Sequence, residues 1–363
     1  MKETRDIIEH MFNERNTSPR TRETYTRCTR YFENITGHPL PALLNIAETE
    51  EENNTPWKST SLRQWLIQYR EWCYKNYKKT TADIYFVSII TLFRHFEITI
   101  NPLPYFSTKH TIQPTPINPD LLVDREILKL CINTNNPLIK AITLLMSSSG
   151  ITRVDALNLT INDYLQSTLE YHHANDINQA IETMTDDVIP TWNITRQKTG
   201  VTYYTFSSPE STQAINNYLL TRQDNDPRLF KINQRYLSYL FKKINDDLGL
   251  GRNGEFSRFA PHMLRRYHAT QLIEAGFSDS KVDLLQGRKP RSIAYQSYVK
   301  IKPSKLREEY IQALPFLVIE DYNRVKTELD LIKEENQHYK DNLNDLWNEL
   351  KDLKRRQEIW DTL

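Results

Sequence analysis

PHMLRRYHATQLIEAG, residues 261–276, carries the strongest signal in the chain. A proline suits the first turn of a helix and a glycine suits its end, so the stretch predicts one helix with defined ends. His262 and Arg265 are three residues apart and therefore share one face near the helix N-terminus. Backbone N–H groups and the helix dipole favour anions there, which makes the pair a candidate phosphate site. Because His-x-x-Arg is a common spacing, the pair alone does not separate a site from a solvated helix face.

A third basic residue stands beside another predicted helix start. Arg153 closely follows Gly150, which is expected to end the buried helix NPLIKAITLLMSSSG (136–150). Thr152 and Asp155 have the spacing of an N-terminal capping pair. Arg153 is therefore predicted in the first turn of a helix, although this signal is also weak alone.

Arg288 and a pair of tyrosines follow downstream. Arg288 comes directly after Gly287, which is expected to end the short helical segment KVDLLQ (281–286). Tyr298 lies ten residues later on a further predicted helix. Tyr295 lies one helical turn before Tyr298 and is the alternative candidate at this place.

The segment TWNITRQKTGVTYYTF, residues 191–206, alternates apolar and polar residues and predicts a β-hairpin with Lys198, Thr199 and Gly200 at its tip. The surrounding segments have helical spacing. We therefore predict an α+β fold that is mainly α-helical with a small β-sheet. A helical domain is expected over residues 1–108, a proline-rich linker over 109–119 and a second domain over 120–318.

Residues 320–363 have a different pattern, a heptad repeat that predicts a C-terminal coiled-coil helix. The a positions are Tyr322, Leu329, Asn336, Leu343, Leu350 and Gln357, and the d positions are Val325, Ile332, Tyr339, Leu346, Leu353 and Trp360. Asn336 at an a position favours a two-stranded pairing between protomers. The alternative is a long helix that folds back onto its own domain.

Charge is balanced over the whole chain, with 47 Lys and Arg against 46 Asp and Glu. Basic residues predominate from Arg252 to Arg307, whereas acidic residues predominate from Glu320 onward. This asymmetry hints at a polyanionic partner, and scattered solvated charge is the alternative. Three cysteines offer no disulfide framework or zinc pattern, and no apolar run is long enough to span a membrane. The N-terminus is too charged for a signal peptide, so a cytoplasmic protein is expected.

Together these motifs resemble the tyrosine recombinases, or phage-type integrases, over roughly residues 15–315. The resemblance rests on PHMLRRYHATQLIEAG (261–276), LLQGR (284–288) with its later tyrosine, SSSGITRVDALNLTINDYL (147–165) and RQKTG (196–200). It implies a helical core-binding domain before the linker and a catalytic domain after it. It also implies double-stranded DNA as the partner and a tetramer in the synapse, to which a coiled-coil dimer would contribute.

The resemblance also implies roles for individual residues. Arg153 and Arg265 resemble the arginine pair that holds the scissile phosphate, and His262 resembles the first histidine of the family. Lys198 resembles the lysine of the hairpin turn, and Tyr298 resembles the nucleophile. Arg288 departs from the histidine or tryptophan that most of the family has there, and in this it is similar to archaeal and archaeal-viral integrases.

The chemistry of these residue types agrees with such a reaction. A tyrosine phenol is a poor nucleophile at neutral pH and needs a cationic pocket that stabilises phenolate and the pentacoordinate phosphate. Arginines supply planar donors for the non-bridging oxygens, and a lysine can protonate the leaving 5′-oxygen. We therefore expect neither a metal ion nor ATP nor another cofactor. A DNA strand-exchange enzyme is favoured over a type IB topoisomerase and over a non-catalytic DNA-binding relative.

Overall fold

The computed structural model of the chain describes residues 3–109, 111–289 and 302–320 together with Trp347. Contacts divide the chain into two compact units, Met1–Pro116 and Ile117–Leu363. The described residues are mostly helical, and their strands form two small antiparallel pairs. The predicted mainly α-helical α+β fold class is therefore confirmed. None of the described helices combines the length and the apolar character that a membrane crossing requires.

The first unit is a set of helices around an aromatic core. Its described helices are α1 (Thr4–Glu14), α2 (Pro19–Thr36), α3 (Leu40–Glu52), α4 (Ser61–Asn76) and α5 (Lys79–His95), with a 3-10 turn at Trp57–Ser59. Ser18 caps α2 by accepting a hydrogen bond from the Thr21 N–H, and Pro19 occupies its first turn. Phe32 packs edge-on against Tyr69 and Phe93, which joins α2 to α4 and α5.

The second unit contains the remaining described helices and all of the described strands. Its helices are α6 (Arg125–Ile132), α7 (Pro137–Ser149), α8 (Arg153–Asn158), α9 (Ile161–Ser167), α10 (Ile177–Thr183), α11 (Pro209–Leu220), α12 (Gln234–Asp247), α13 (Pro261–Glu274), α14 (Asp279–Leu285) and α15 (Pro303–Leu317), with 3-10 turns at Pro119–Leu121 and Leu169–Tyr171. Its strands are β1 (Thr191–Thr195), β2 (Thr202–Phe206), β3 (Arg252–Asn253) and β4 (Phe256–Ser257).

Helix α7 is the centre of this unit. All its residues from Ala141 to Ser149 are buried, and it packs against α11 and α13. The hydroxyls of the last two serines are hydrogen-bonded within the helix, since Ser148 and Ser149 donate to carbonyls one turn earlier. The helix ends at Gly150, which has a left-handed φ of 65°. A helix that is buried on every side is a fixed reference for the residues at its end.

The hairpin of β1 and β2 is anchored on the end of α7. Its register pairs Thr191 with Phe206 and Thr195 with Thr202, as the alternating pattern predicts. The Thr205 hydroxyl donates to the Ser149 carbonyl at 2.7 Å. The buried Trp192 indole donates to the Ser207 hydroxyl at 3.0 Å. These contacts hold the hairpin, and therefore its turn, at a defined distance from Gly150.

Two predicted helix ends near the candidate site residues are confirmed. Helix α13 begins with Pro261 in its first turn and stops at Glu274, shortly before Gly276. Helix α14 stops at Leu285, and Gly287 follows with a left-handed φ of 60°. Both candidate tyrosines, Tyr295 and Tyr298, lie outside the described residues, and so does the predicted coiled coil apart from Glu320 and Trp347.

Candidate active site

A cleft of about 490 Å³ opens where α8, α13, the β1–β2 turn and the end of α14 meet. Its charged lining consists of Arg153, Arg196, Arg265 and Arg288, with His262 beside them. The structure thus brings together four of the six predicted site residues. A lining of arginines suits an anion and opposes a metal cation, because like charges at short range repel strongly where water is partly excluded.

Arg265 forms the floor of the cleft and is only 5% exposed. Its guanidinium donates to the Gly150 carbonyl and, at 2.6 Å, to the Gln286 carbonyl. These bonds use two of its five N–H donors and fix the plane of the group. Burial and the nearby Arg288 lower its pKa to about 10, so it remains charged at neutral pH. The side chain is therefore a preorganised cation rather than a mobile surface group.

Arg153 occupies the first turn of α8, as the sequence predicts. Thr152 caps the helix by accepting a hydrogen bond from the Asp155 N–H at 3.3 Å. The Arg153 guanidinium donates to the Ser238 hydroxyl of α12 at 2.5 Å. Burial lowers the pKa of Arg153. A neutral partner, the Ser238 hydroxyl, holds this cation in place and leaves its charge available to a ligand.

His262 and Arg288 stand at the mouth of the cleft. The ring of His262 lies 5.5 Å from that of Phe256. Its pKa is lowered by burial and then by the charges of nearby arginines, which include Arg265 and Arg288, so the neutral imidazole is favoured at pH 7. The Arg288 side chain is 43% exposed, and its guanidinium lies 3.6 Å from an Asp283 carboxylate oxygen. Arg288 is thus the most accessible of the cleft arginines, and it forms an ion pair with Asp283.

Arg196 is a cleft residue that our sequence reasoning missed. It follows β1 at the start of the hairpin turn, and its guanidinium donates to the Gly287 carbonyl at 3.1 Å. The signal was present, because side chains two apart in a strand share a face. Trp192 and Ile194 are buried on the inner face of β1, and Arg196 continues that series.

Lys198 lies beyond Arg196 in the exposed part of the turn and is not among the residues that line the cleft. One hydrogen bond ties the turn to α8, and a second closes the turn on itself. The Gln197 N–H donates to an Asp155 carboxylate oxygen at 3.1 Å, and the Gly200 N–H donates to the Arg196 carbonyl at 2.8 Å. Lys198 is therefore an exposed side chain on a turn whose backbone is anchored.

A buried shell supports the arginines. Gln286 donates through its amide nitrogen to the Arg265 carbonyl at 3.0 Å and to the Nδ1 atom of His268 at 3.0 Å. Because Nδ1 accepts, the proton of the neutral ring resides on Nε2. Burial lowers the pKa of His268 to about 3, and the charges of Arg265 and Arg288 act in the same direction. His268 is therefore a neutral packing group under the cationic cleft.

Two glycines allow this shell to close. A Cβ atom at Gly150 would lie 2.5 Å from the His268 ring, and one at Gly287 would overlap the Tyr203 ring. Tyr203, on β2, is buried beside Arg265, Arg196 and Asp155, and burial raises its pKa. Both glycines thus permit close approach of backbone to ring in addition to their left-handed φ values.

Residues 124–305 match the model of the phage integrase family, and this span is half of the chain. The chain belongs to the phage integrase family. It is thereby a tyrosine recombinase, an enzyme of the class that cleaves and rejoins DNA. All six predicted site residues fall inside the matched span. The predicted family is confirmed, whereas the closer likeness to archaeal integrases stays a prediction.

Solved structures of this family share the fold. The chain is 14% identical to the XerH site-specific recombinase bound to palindromic difH substrate, with a TM-score of 0.50 over 84% of this chain and 83% of that one. It is 14% identical to the Tn1549 transposon integrase in complex with a circular intermediate DNA, with a TM-score of 0.51 over 85% and 99% of the two chains. It is 16% identical to the lambda integrase tetramer bound to a Holliday junction, with a TM-score of 0.51 over 82% and 79%. None of the curated proteins searched matches the chain.

Proposed function

We propose that this integrase family member is a site-specific DNA recombinase that acts through a 3′-phosphotyrosyl intermediate. The observation that carries the proposal is the convergence of Arg153, Arg265, Arg288 and His262 on one cleft. Together with Arg196, the three arginines give the cleft four positive charges. These charges stabilise a phosphate whose negative charge increases as it becomes pentacoordinate. The chemistry then needs a nucleophile, and Tyr298 is our candidate from the motif order.

In the proposed step the Tyr298 phenol oxygen attacks the scissile phosphorus. The new bond from tyrosine oxygen to phosphorus forms as the bond from phosphorus to the 5′-oxygen breaks. The phenol proton passes to a base, for which the neutral His262 is suited, and the 5′-oxygen takes a proton from Lys198. Attack by a 5′-hydroxyl reverses the step and rejoins the strand. One phosphodiester is exchanged for another, so no ATP and no metal ion enter the balance.

Arg153 and Arg265 are proposed to hold the non-bridging oxygens. Arg265 still has three N–H donors beyond its two carbonyl bonds, and the Arg153 guanidinium is held from one side by Ser238. Such preorganised donors need no reorientation when negative charge develops. Arg288 and Arg196 flank this pair, and Arg196 also steadies the turn that carries Lys198.

We further propose double-stranded DNA as the substrate and several protomers in the reacting complex. The chemistry of the cleft supports a phosphodiester, and the solved relatives are described with DNA, one of them as a tetramer on a Holliday junction. Pairing of protomers through the heptads of residues 320–363 is a separate part of this proposal, since that segment lies outside the described residues apart from Glu320 and Trp347.

The test traps the covalent intermediate. The full chain is incubated with a library of duplexes that carry a nick near each possible cleavage position, so that the short 5′-hydroxyl strand diffuses away after cleavage. We expect denaturant-resistant protein–DNA adducts from the wild type and from Tyr295→Phe, and none from Tyr298→Phe. Adducts from Tyr298→Phe would refute this nucleophile, and their absence from the wild type would refute the enzyme.

The same material separates recombination from a topoisomerase-like activity. Selected duplexes are cloned in a supercoiled plasmid as one copy or as two copies. A recombinase excises a circle only from the plasmid that carries two copies in direct repeat, whereas a topoisomerase relaxes both plasmids and also a plasmid without a selected site. Efficient relaxation without recombinant products would overturn the proposed strand exchange while leaving the phosphotyrosyl chemistry intact.

A further inference from the structure

The first unit contains a cluster of metal-ligand side chains that the recombinase chemistry does not use. His10 and Glu14 are one turn apart on α1, and His95 is the last residue of α5. One carboxylate oxygen of Glu14 lies 3.3 Å from the His10 Nδ1 atom and 2.9 Å from the His95 Nε2 atom. The three ligand atoms all lie within 4.8 Å of one another. Two helices thus bring together three potential metal ligands.

The spacing fits a small ion. Zinc binds imidazole nitrogen and carboxylate oxygen at about 2.0–2.2 Å with tetrahedral geometry, which implies ligand atoms roughly 3.3 Å apart. The two nitrogen–oxygen distances lie near that value. Small side-chain rotations are therefore enough to admit an ion. In these rotations the two imidazole nitrogens, which now face the Glu14 carboxylate oxygen, would point at the ion instead.

The surroundings favour binding from solvent. The side chains of His10 and Glu14 are 56% and 54% exposed, so an ion and a completing water molecule have access. The His95 side chain is only 14% exposed, and its ring stands edge-on to Phe96 with centroids 5.0 Å apart. One ligand is thus fixed by packing, and two are free to adjust around the ion.

We propose that His10, Glu14 and His95 bind one borderline transition-metal ion, with Zn²⁺ as the physiological candidate. Imidazole suits Zn²⁺, Ni²⁺ and Co²⁺, whereas Mg²⁺ and Ca²⁺ prefer sites made of oxygen alone. Helix α1 packs on α2 and α3, and the ion adds a direct link from α1 to the end of α5. Its role is to hold α1 on the first unit, apart from strand cleavage.

Calorimetric titration of the full chain with ZnCl₂, and separately with MgCl₂, tests the site. We expect one Zn²⁺ per chain at this cluster and no comparable binding of Mg²⁺. His95→Ala and Glu14→Gln should each weaken Zn²⁺ binding by at least about tenfold, since even the loss of an outer-shell partner costs 10-fold to 100-fold. The matched control is His173→Ala, an exposed histidine of the second unit, which should bind as the wild type does.

Two local readouts keep the proposal falsifiable if His95→Ala fails to fold. Because His10 is exposed, His10→Ala should fold, and it should lose the visible absorption that Co²⁺ gains on binding the wild type. Zn²⁺ should also slow amide hydrogen exchange in α1 of the wild type and leave Glu14→Gln unchanged. Equal Zn²⁺ affinity in all three ligand variants, or no Zn²⁺ binding at 100 µM, would show that Glu14 merely bridges two histidines as an ion pair.

Discussion

Arg265 illustrates how one residue type meets several demands at the scale of single side chains. A lysine has the same charge but lacks the planar fork that spans two carbonyls and still offers donors to a phosphate. We expect Arg265→Lys to lower the cleavage rate by about 10²–10³, the scale for losing a preorganised oxyanion donor. Single-turnover cleavage of a trapped substrate measures this effect. Wild-type rates in Arg265→Lys would contradict its assignment to the phosphate.

The buried His268 makes stability depend on pH. Its folded pKa of about 3 lies below the ordinary value near 6.5, so the unfolded chain takes up the proton first. Its contribution to stability is fully present above about pH 6.5 and is lost as the pH falls toward 3, by on the order of 1 kcal/mol per pH unit. Denaturant unfolding at pH 7, 5.5 and 4.5 measures this slope. His268→Gln should flatten it, while the exposed His173→Ala should leave it unchanged.

Single residues also mark the limit of sequence reasoning. The order of the motifs predicted that Arg153, His262, Arg265 and Arg288 act together, and all four line one cleft in the structure. Arg196 was not predicted, because Lys198 at the tip of the hairpin already matches the basic residue that the resemblance implies there. Gln286 and His268 were missed as well, since their role depends on contacts between α13 and the end of α14 that no local pattern reveals.

At the scale of elements, the end of α7 is the most constrained point of the second unit. Gly150 combines a φ of 65° with a ring that occupies the space of a Cβ atom. We expect Gly150→Ala to reduce the free energy of unfolding by about 2–5 kcal/mol, as the left-handed strain and the overlap add. Gly249→Ala is the matched control, because its φ of 62° is similar and its Cβ would meet open space. Equal losses in the two variants would contradict the role of His268.

The hairpin turn carries two basic residues, Lys198 and Arg196, for which we expect different roles in cleavage. Lys198 is exposed, whereas Arg196 is tied to Gly287. If Lys198 is the general acid, Lys198→Ala should cleave DNA with a 5′-bridging sulfur far faster than ordinary DNA, because a thiolate leaves without protonation. Arg196→Ala should be slow on both substrates. An equal defect of Lys198→Ala on both substrates would reduce Lys198 to a phosphate contact.

Elements were predictable where local rules determine them. Ser18, Thr152 and Pro261 mark helix starts by capping or by proline in the first turn, and the structure has helices at all three. The strand alternation likewise predicted the pairing of β1 with β2. The packing of α7 against α11 and α13 was not predictable, since a helix that is apolar on every face does not reveal its neighbours.

For the whole molecule, the heptads of residues 320–363 predict association of protomers. We expect the full chain to sediment as a dimer at micromolar concentration and a chain that ends at Glu320 to sediment as a monomer. The acidic excess of the segment argues against DNA as its ligand, because phosphates repel it. Monomers in both cases would contradict the coiled coil. Tighter DNA binding by the shortened chain would support a helix folded back in cis.

The two carbonyl bonds of Arg265 have an evolutionary consequence. The guanidinium joins the end of α7 to the end of α14, so the group proposed for the phosphate is also a strut of the fold. Selection for a folded protein therefore preserves Arg265 even where selection for cleavage has been lost. A lineage that abandoned strand cleavage but still required a folded DNA-binding protein would be free to change His262, yet it would retain Arg265. Degenerate descendants of this enzyme should thus preserve that arginine long after the rest of the site has decayed.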